Sequence, residues 1–470
     1  MITRSFGILS DGRKAGLYIL RNRKGMEAHV TDYGAAIVRL IIPDKNGERR
    51  DVVLGYDDAA AYEQGHSSFG ATVGRVANRI SGAAFDLNGR HYILTANNGP
   101  NTLHGGRDFY AHRLWSAVIP FGKVSTGDIA ATYAVESMND WSRERRGREA
   151  NGINTVSEMA ADDFIVQAGL IDGDEAKADH PKEKQTETGR KPALSRYTTE
   201  LGWTRESFEQ YAEKGKAEMS DSITFALDSP DGDQGFPGNI HIEVTYTLTY
   251  EGELHIDYRA SFNPDSNPKL FRAETFSSGK TVTDAADRIS TPLNLTNHSY
   301  FNLNGHDSGT VLTHEVQIDA EWFTETDRRS IPTGSVLEVR WTPMDFRKPK
   351  TLGRDIYNDY EPLKYGNGYD HNYVLSDAQT DYRKVASMYA DDSGIRMDIL
   401  TDLPGVQLYT ANGLDEEPGK DGAVYRQRSA ACFETQFWPD TINKPHFPGG
   451  VLTEGDTFSS RTTYKFSTEN

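Results

Sequence analysis

The feature that most constrains the fold is a strict alternation of apolar and polar side chains between residues 240 and 250. In Ile-His-Ile-Glu-Val-Thr-Tyr-Thr-Leu-Thr-Tyr every even-numbered residue is apolar or aromatic, and every odd-numbered residue is polar. Successive side chains of a β-strand point to opposite faces of a sheet, so the pattern predicts a strand with one buried face. A Glu-Gly pair then supplies a turn, and Leu254, Ile256 and Tyr258 resume the alternation, which predicts a hairpin.

Two further segments carry the same kind of signal. Residues 85–92 place Asn88 and Gly89 between two strand-like arms, and Asn-Gly is the preferred pair of a two-residue hairpin loop. Ile395, Met397 and Ile399 alternate with polar residues again. Sustained helical periodicity is scarce outside one region. The sequence therefore predicts an all-β fold, a sandwich of large antiparallel sheets.

The exception lies between residues 141 and 220, where 29 of 80 residues are charged. The stretch 172–191 has almost no apolar side chains and is predicted to be a solvated, disordered loop. Residues 204–219 are predicted to form a short amphipathic helix. A second irregular segment, 263–290, is rich in Pro, Ser, Asp and Thr. The first region is interpreted as a surface insertion, with a partner-binding element as the alternative.

Composition excludes several classes of function. The formal net charge of −18 argues against a nucleic-acid partner, which needs a basic face. Cys432 is the single cysteine, so an internal disulfide is impossible. No segment approaches the ~18 apolar residues of a membrane span, and the first residues lack the apolar core of a secretory signal. These features predict a cytoplasmic protein without a membrane partner, whose ligand is neutral or cationic; they specify no oligomeric state.

Three residues are candidates for catalysis, although each of them, taken alone, has a structural alternative. His104 precedes two glycines that let the backbone turn closely beneath its ring. His298 lies in the stretch 294–302, where three asparagines beside apolar residues indicate a polar concave face. Glu434 lies in an apolar strand, where burial would raise its pKa toward that of a general base working near neutrality. The alternative for Glu434 is the solvent side of an edge strand.

Three more polar residues suit the binding of a hydroxylated ligand. Asp370 is flanked by aromatic residues, a combination that commonly binds sugars. Arg79 has a planar guanidinium that suits two vicinal hydroxyls. Gln407 shares a strand face with Gly405 and Tyr409. No phosphate-binding loop, dinucleotide fingerprint, nucleophile elbow or HExxH spacing is present, so the sequence predicts neither a nucleotide cofactor nor a zinc hydrolase.

Six segments, taken together and in order, resemble the aldose 1-epimerase (galactose mutarotase) family. They are Gly-Arg-Val-Ala-Asn-Arg-Ile at 74–80, Asn-Thr-Leu-His-Gly-Gly at 101–106, residues 231–238, Leu-Thr-Asn-His-Ser-Tyr-Phe-Asn-Leu at 295–303, Tyr-Asp-His-Asn at 369–372, and residues 433–440. The resemblance extends from Phe6 to Phe466 and fails at about 137–220 and 262–290. It therefore implies a single domain, 1–470, with two insertions, the first of them charged and partly helical.

The resemblance implies a large β-sandwich with an open sugar cleft, and an enzyme that interconverts the α and β anomers of free aldoses of the glucose and galactose type. It assigns His298 as general acid and Glu434 as general base. It also places five residues at sugar-binding positions: Asn78, Arg79, His104, Asp370 and Gln407. No metal or other cofactor is implied. A nearby carboxylate is expected to keep the His298 imidazole charged and able to donate.

Two other functions stay open on the same fold. One is a non-catalytic carbohydrate-binding protein, and the other is a carbohydrate-cleaving hydrolase or lyase. A binding protein needs no acid–base pair. A hydrolase would use two carboxylates, whereas the matched pair here is His298 and Glu434.

Overall fold

The computed structural model describes residues 1–119, 122–123, 220–263, 288–375 and 381–469. All of them fall within one compact unit, Met1–Thr126 with Lys214–Asn470. The loop predicted at 172–191 and the helix predicted at 204–219 lie outside the described residues. Within the described part of the chain, no helix combines the length and the hydropathy that crossing a bilayer requires.

Strands dominate the described residues, and the two α-helices, α1 (Ala59–Gln64) and α2 (Glu361–Gly366), are short. The first strands are β1 (Ile2–Ile8), β2 (Lys14–Arg21), β3 (Glu27–Thr31), β4 (Ala36–Pro43), β5 (Arg49–Asp51), β6 (Thr72–Val73), β7 (Arg79–Ile80), β8 (Ala84–Leu87), β9 (Arg90–Ile93) and β10 (Thr102–Leu103). Next come β11 (Ser116–Ile119), β12 (Gly122–Lys123), β13 (Asp221–Ser229), β14 (Ile240–Leu248), β15 (Glu253–Phe262), β16 (Ser290–Pro292), β17 (Thr296–Asn297), β18 (Glu315–Ile318), β19 (Trp322–Thr326) and β20 (Pro332–Glu338). The last are β21 (Lys350–Thr351), β22 (Asp370–Val374), β23 (Arg383–Ala390), β24 (Ile395–Thr401), β25 (Gly405–Tyr409), β26 (Glu417–Pro418), β27 (Val424–Tyr425), β28 (Cys432–Gln436), β29 (Val451–Thr453) and β30 (Thr457–Thr468).

The largest sheet has ten strands in the order β12-β11-β13-β14-β15-β30-β24-β23-β18-β21. At its centre, β14 and β15 form the hairpin predicted from the alternating pattern, antiparallel from Ile240↔Phe262 to Leu248↔Leu254. Every even-numbered residue of β14 is buried and every odd-numbered one is partly exposed, as predicted. Each apolar side chain on the buried face contributes roughly 1.5–3 kcal/mol, which is why the alternation fixes the register. The strand predicted around Met397 is β24, which shows the same burial pattern.

The Asn-Gly hairpin is also confirmed. β8 and β9 pair from Ala84↔Ile93 to Leu87↔Arg90. Asn88 and Gly89 both have positive φ angles, 51° and 73°. A two-residue turn with two positive φ angles matches the twist of the flanking strands, and Asn and Gly adopt it at the lowest cost.

A second sheet of five strands, β20-β19-β22-β25-β28, packs on the ten-stranded sheet. The Tyr464 hydroxyl of β30 donates to the carbonyl of Phe433 in β28 (3.2 Å), and the hydroxyls of Thr435 and Thr462 are hydrogen-bonded. The odd-numbered residues of β28 therefore face the sandwich interior. By strand parity, the even-numbered residues, Glu434 among them, face away from the interior of the sandwich.

A third sheet, β1-β2-β3-β4-β5, precedes α1, and this helix leads into a loop that borders the site. The Asp58 carboxylate caps the helix by accepting from the backbone N–H of Ala61 (2.9 Å). Tyr62 is buried and anchors the helix to the core. The helix ends at Gly65, where a Cβ atom would lie 2.4 Å from the ring of Tyr56, so a larger residue would displace the loop that follows.

Candidate active site

One face of the five-stranded sheet β20-β19-β22-β25-β28 carries polar side chains and forms the floor of the candidate site. β22, β25 and β28 pair so that Asn372, Gln407 and Glu434 stand in one row across the strands. Asp370 and Tyr409 stand opposite each other in the next row. β28 is an edge strand of this sheet, yet Glu434 is only 2% exposed. The alternative position for Glu434, on the solvent side of an edge strand, is therefore excluded.

His298 reaches this floor from the end of β17. Its backbone N–H donates to Ala71 (2.8 Å) and its carbonyl accepts from Gly70 (3.0 Å), which fixes the residue above β28. Its Nε2 lies 3.6 Å from Oε1 of Glu434. The Tyr300 ring stacks on the imidazole, with centroids 5.0 Å apart and an interplanar angle of 17°. These contacts give His298 one defined position beside Glu434.

The three asparagines around His298 serve the backbone, which explains their density in the sequence. Each donates its side-chain amide to a backbone carbonyl of a neighbouring segment: Asn294 to Phe437 (3.2 Å), Asn297 to Gly70 (2.7 Å) and Asn302 to Ser429 (3.0 Å). All three are buried. They clamp loops around the site, and His298 and Tyr300 are the residues of this stretch that line the cavity.

One wall of the site comes from the turns next to β7 and β10. After His104 the backbone passes close to another segment: Gly105 has φ +96°, and a Cβ atom there would lie 2.2 Å from the carbonyl oxygen of Gly74. Arg79 donates from Nε to the side-chain oxygen of Asn98 (3.2 Å), which orients its guanidinium.

The hydrogen bonds of His104 define its tautomer. Nδ1 accepts a hydrogen bond from the backbone N–H of Asn78 (3.2 Å). Burial, reinforced by the neighbouring His298 and Arg79, holds the pKa of His104 well below its usual range. A neutral imidazole whose Nδ1 accepts must carry its hydrogen on Nε2. His104 is therefore a neutral hydrogen-bond donor.

A cavity of about 460 Å³ brings most of the predicted site residues together. Six of the seven line it: Asn78, Arg79, His104, His298, Asp370 and Glu434. Gln407 lies behind the wall, 4% exposed, and donates from Nε2 to Oδ1 of Asp370 (2.6 Å).

Sequence reasoning missed two loops and two tyrosines of the cavity wall. The loops are 66–68, which follows α1, and 413–417. The Gly413 backbone N–H donates to the Tyr409 hydroxyl (3.0 Å), which connects the second loop to the floor. Tyr409 was detectable from the sequence, because it shares strand parity with Gln407. Tyr300 lies two residues after His298 and stacks on it, whereas neither loop carries a pattern that marks it.

Comparison with known proteins decides between the functions that the sequence left open. The model of a family described as aldose 1-epimerase matches residues 16–126, 202–266 and 279–465, more than half of the chain. The chain belongs to the aldose 1-epimerase family. It is an isomerase that interconverts the α and β anomers of aldoses.

Named relatives and a solved structure agree with this membership. The galactose mutarotase of Bos taurus is 31% identical over 94% of this chain and 91% of its own length. The aldose 1-epimerase of Escherichia coli K12 is 26% identical over 100% of both chains. The crystal structure of an aldose epimerase homologue from C. elegans superimposes with a TM-score of 0.65 at 25% identity, covering 97% of this chain and 100% of the other. These matches also confirm the predicted β-sandwich class.

The electrostatics of the enzyme's two central residues differ in part from expectation. Burial, reinforced by the charge of Asp370, raises the pKa of Glu434 well above its usual range, as predicted for a buried carboxyl. Burial lowers the pKa of His298 to about 4. The expectation that a nearby carboxylate keeps His298 charged is therefore wrong. Desolvation outweighs the attraction of the Asp370 charge, and both His298 and Glu434 favour their neutral forms.

The donor set of the enzyme's site resembles a metal site only in its spacing. His104, His298 and Glu434 each offer a ligand atom, and these atoms lie within 4.8 Å of one another. A metal-bound histidine needs a free lone pair on the coordinating nitrogen and usually donates from the other nitrogen. In His104 the Nδ1 lone pair is engaged by Asn78, and Nε2 carries the hydrogen. These residues do not fit a resident metal ion.

Proposed function

We propose that Glu434 and His298 move the two protons of anomerisation, and that the substrates are free aldohexoses of the glucose and galactose type. The observation that carries the proposal is the 3.6 Å separation of Nε2 and Oε1. The C1 hydroxyl and the ring oxygen are bonded to the same carbon of the sugar, so an acid and a base that serve both must stand side by side. The name of the bovine relative, galactose mutarotase, supports the sugar class.

In ring opening, Glu434 takes the proton of the C1 hydroxyl while His298 gives a proton to the ring oxygen. The bond between C1 and the ring oxygen breaks, and C1 becomes an aldehyde carbon. Rotation about the C1–C2 bond then presents the other face of the aldehyde. In closure the roles exchange: His298 takes the proton of the C5 hydroxyl, and Glu434 returns one to the aldehyde oxygen.

The pair carries one proton before and after each half-reaction. The pKa of Glu434 is raised and that of His298 is lowered to about 4, so these shifts favour that proton on Glu434. This is the protonation state from which closure begins. Ring opening begins from the other protonation state, in which His298 holds the proton and Glu434 is ionised. Because each half-reaction converts one state into the other, no net proton exchange with solvent is required.

The remaining cavity residues are proposed to hold the sugar. Arg79 donates its Nε hydrogen to Asn98, so its terminal nitrogens serve vicinal hydroxyls. Asn78 and the Nε2–H of His104 donate to sugar oxygens, and Asp370 accepts from a hydroxyl. Gln407 is proposed to act through Asp370, because it lies behind that side chain and donates to it.

We also propose a single domain, 1–470, interrupted at about 137–220 and 262–290. The family match supports this proposal, since it skips residues 127–201 and 267–278. The cytoplasmic location expected from composition stays a prediction, which cell fractionation would test.

The experiment that tests the function follows optical rotation of freshly dissolved α-D-glucose and α-D-galactose, with release of new reducing ends from oligosaccharides measured in parallel. We expect faster mutarotation and no release of reducing ends. Release of reducing ends would indicate cleavage, and binding without a rate effect would indicate a non-catalytic protein.

A further inference from the structure

A chain of three buried amides continues the floor of the site beyond Asp370. Gln407 donates from Nε2 to Oδ1 of Asp370 (2.6 Å). Gln436 donates from Nε2 to Oε1 of Gln407 (3.3 Å) and to Oδ1 of Asn372 (3.2 Å). Asn372, Gln407 and Gln436 are 1%, 4% and 0% exposed. The chain therefore runs Asn372–Gln436–Gln407–Asp370 across three strands, and neither Gln436 nor Asn372 lines the cavity.

The direction of this chain of amides is matched to the Asp370 side chain at its end. Each amide has one accepting end and one donating end, so turning one of them around reverses the polarity of its neighbours. With Gln436 donating to Gln407, the Gln407 nitrogen faces the carboxylate. In the reversed chain the Gln407 oxygen would face Oδ1 of Asp370 at 2.6 Å, and two acceptors at that distance repel unless the carboxyl is protonated.

We propose that Gln436 is a positioning residue that sets sugar selectivity through Gln407 and Asp370. By fixing the Gln407 amide, it keeps the Gln407 nitrogen on Oδ1 of Asp370 and leaves Oδ2 for the sugar. A carboxylate accepts hydrogen bonds from hydroxyl groups, so this corner of the cavity selects aldoses that carry a hydroxyl there over their deoxy analogues. The inference rests on the proposed role of Asp370 in holding the sugar.

The test is the variant Gln436→Met, assayed by polarimetry with D-galactose and its monodeoxy analogues. We expect KM for galactose to rise about tenfold, in line with losing the buried hydrogen bond that fixes the Gln407 amide, while kcat changes less than about twofold. One deoxy analogue lacks the hydroxyl that Asp370 binds, and the parent enzyme should discriminate against it. The Gln436→Met variant should discriminate against the same analogue less strongly. The matched control is Thr435→Val, a buried neighbour on the opposite face of β28, whose KM should stay at the parent value.

A double-variant cycle separates the inference from the proposed function. In the Asp370→Asn background, Gln436→Met should change KM by less than about twofold, because the carboxylate that it positions is gone. If the double variant raised KM by the product of the two single-variant effects, the inference would be overturned. An unchanged KM in Gln436→Met alone would overturn it as well. An unchanged KM in Asp370→Asn alone would instead refute the proposed sugar contact.

A second variant covers a failure of Gln436→Met to fold. Gln436→Asn keeps an amide in the core but is one methylene too short to reach Gln407. It should reproduce the rise in KM and the weaker discrimination. A parent-like KM in this variant would overturn the role of Gln436.

Discussion

Nε2 of His298 lies 3.6 Å from Oε1 of Glu434, and these two residues are 6% and 2% exposed. We expect Glu434→Gln and His298→Asn each to lower kcat by roughly two to four orders of magnitude, the usual range for removing a catalytic acid or base. Polarimetry at saturating sugar measures the effect. If Glu434→Gln kept a near-normal kcat, another residue would be the base, and Asp370, which lines the same cavity, would be the first candidate.

Arg79 and Asp370 are expected to contribute chiefly to sugar binding. Arg79→Ala and Asp370→Ala should each raise KM about tenfold or more, because each removes a charged hydrogen-bonding group from the cavity wall. Arg90→Ala is the matched control, since Arg90 is exposed in β9 and does not line the cavity. An equal rise in KM for the Arg90 variant would show that loss of charge alone, and not loss of a contact, causes the effect.

Activity is expected to be independent of divalent ions. The Nδ1 lone pair of His104 is engaged by the backbone of Asn78, so the His104–His298–Glu434 group is a poor metal ligand set. Dialysis against EDTA should leave kcat and KM at the parent values. Loss of activity on chelation, restored by one divalent ion, would contradict this assignment of the His104 tautomer.

Local periodicity predicted those parts of the fold that depend on one strand at a time. The alternation in residues 240–250 specified β14, and strand parity predicted that Gln407 and Tyr409 share one face of a strand. The turn at Asn88 was predictable because backbone conformation restricts which residues can occupy it.

The parts that could not be predicted depend on contacts between distant segments. The loops 66–68 and 413–417 meet at the cavity although some 350 residues separate them, and no local pattern encodes that approach. The pKa of His298 is lowered because its side chain is buried, and the degree of burial depends on all the segments that surround it. The chemical type of the site and the raised pKa of Glu434 were thus predictable from the sequence, whereas the lowered pKa of His298 was not.

The charged segment 172–191 is predicted to be dispensable for catalysis. It has too little apolar surface to offset the backbone entropy of ordering, about 1–2 kcal/mol per residue, and it lies within the part of the chain that the family match skips. Replacing it with a short Gly/Ser linker should leave the melting temperature and kcat close to the parent values. Limited proteolysis should cut the parent enzyme there first. A linker variant that folds normally but loses sugar turnover would assign the segment to specificity instead.

Glu434 is predicted to lower the stability of the folded enzyme in proportion to its ionisation. Burial raises its pKa well above the usual range, so the folded state binds this proton more tightly than the unfolded state does. The stabilisation that this proton provides is therefore complete below the pKa of Glu434 in the unfolded chain, about 4.3. It is lost as pH rises through the pKa of Glu434 in the folded enzyme. Above that pH the enzyme carries the full cost of a buried carboxylate, whose Oε2 has no hydrogen-bond partner among the described residues.

The variant Glu434→Gln has no proton to lose at this position. Its melting temperature should match that of the parent near pH 4 and exceed it by a margin that grows as pH rises. Thermal unfolding of both proteins between about pH 4 and 9 measures this margin. The control is Glu315→Gln, because Glu315 is exposed in β18, and its margin should stay constant with pH. The prediction fails if the difference in melting temperature between Glu434→Gln and the parent is also constant with pH, or if it is negative throughout. Either result would show that the folded enzyme accommodates the charge of Glu434, and that catalysis at this site carries no cost in stability.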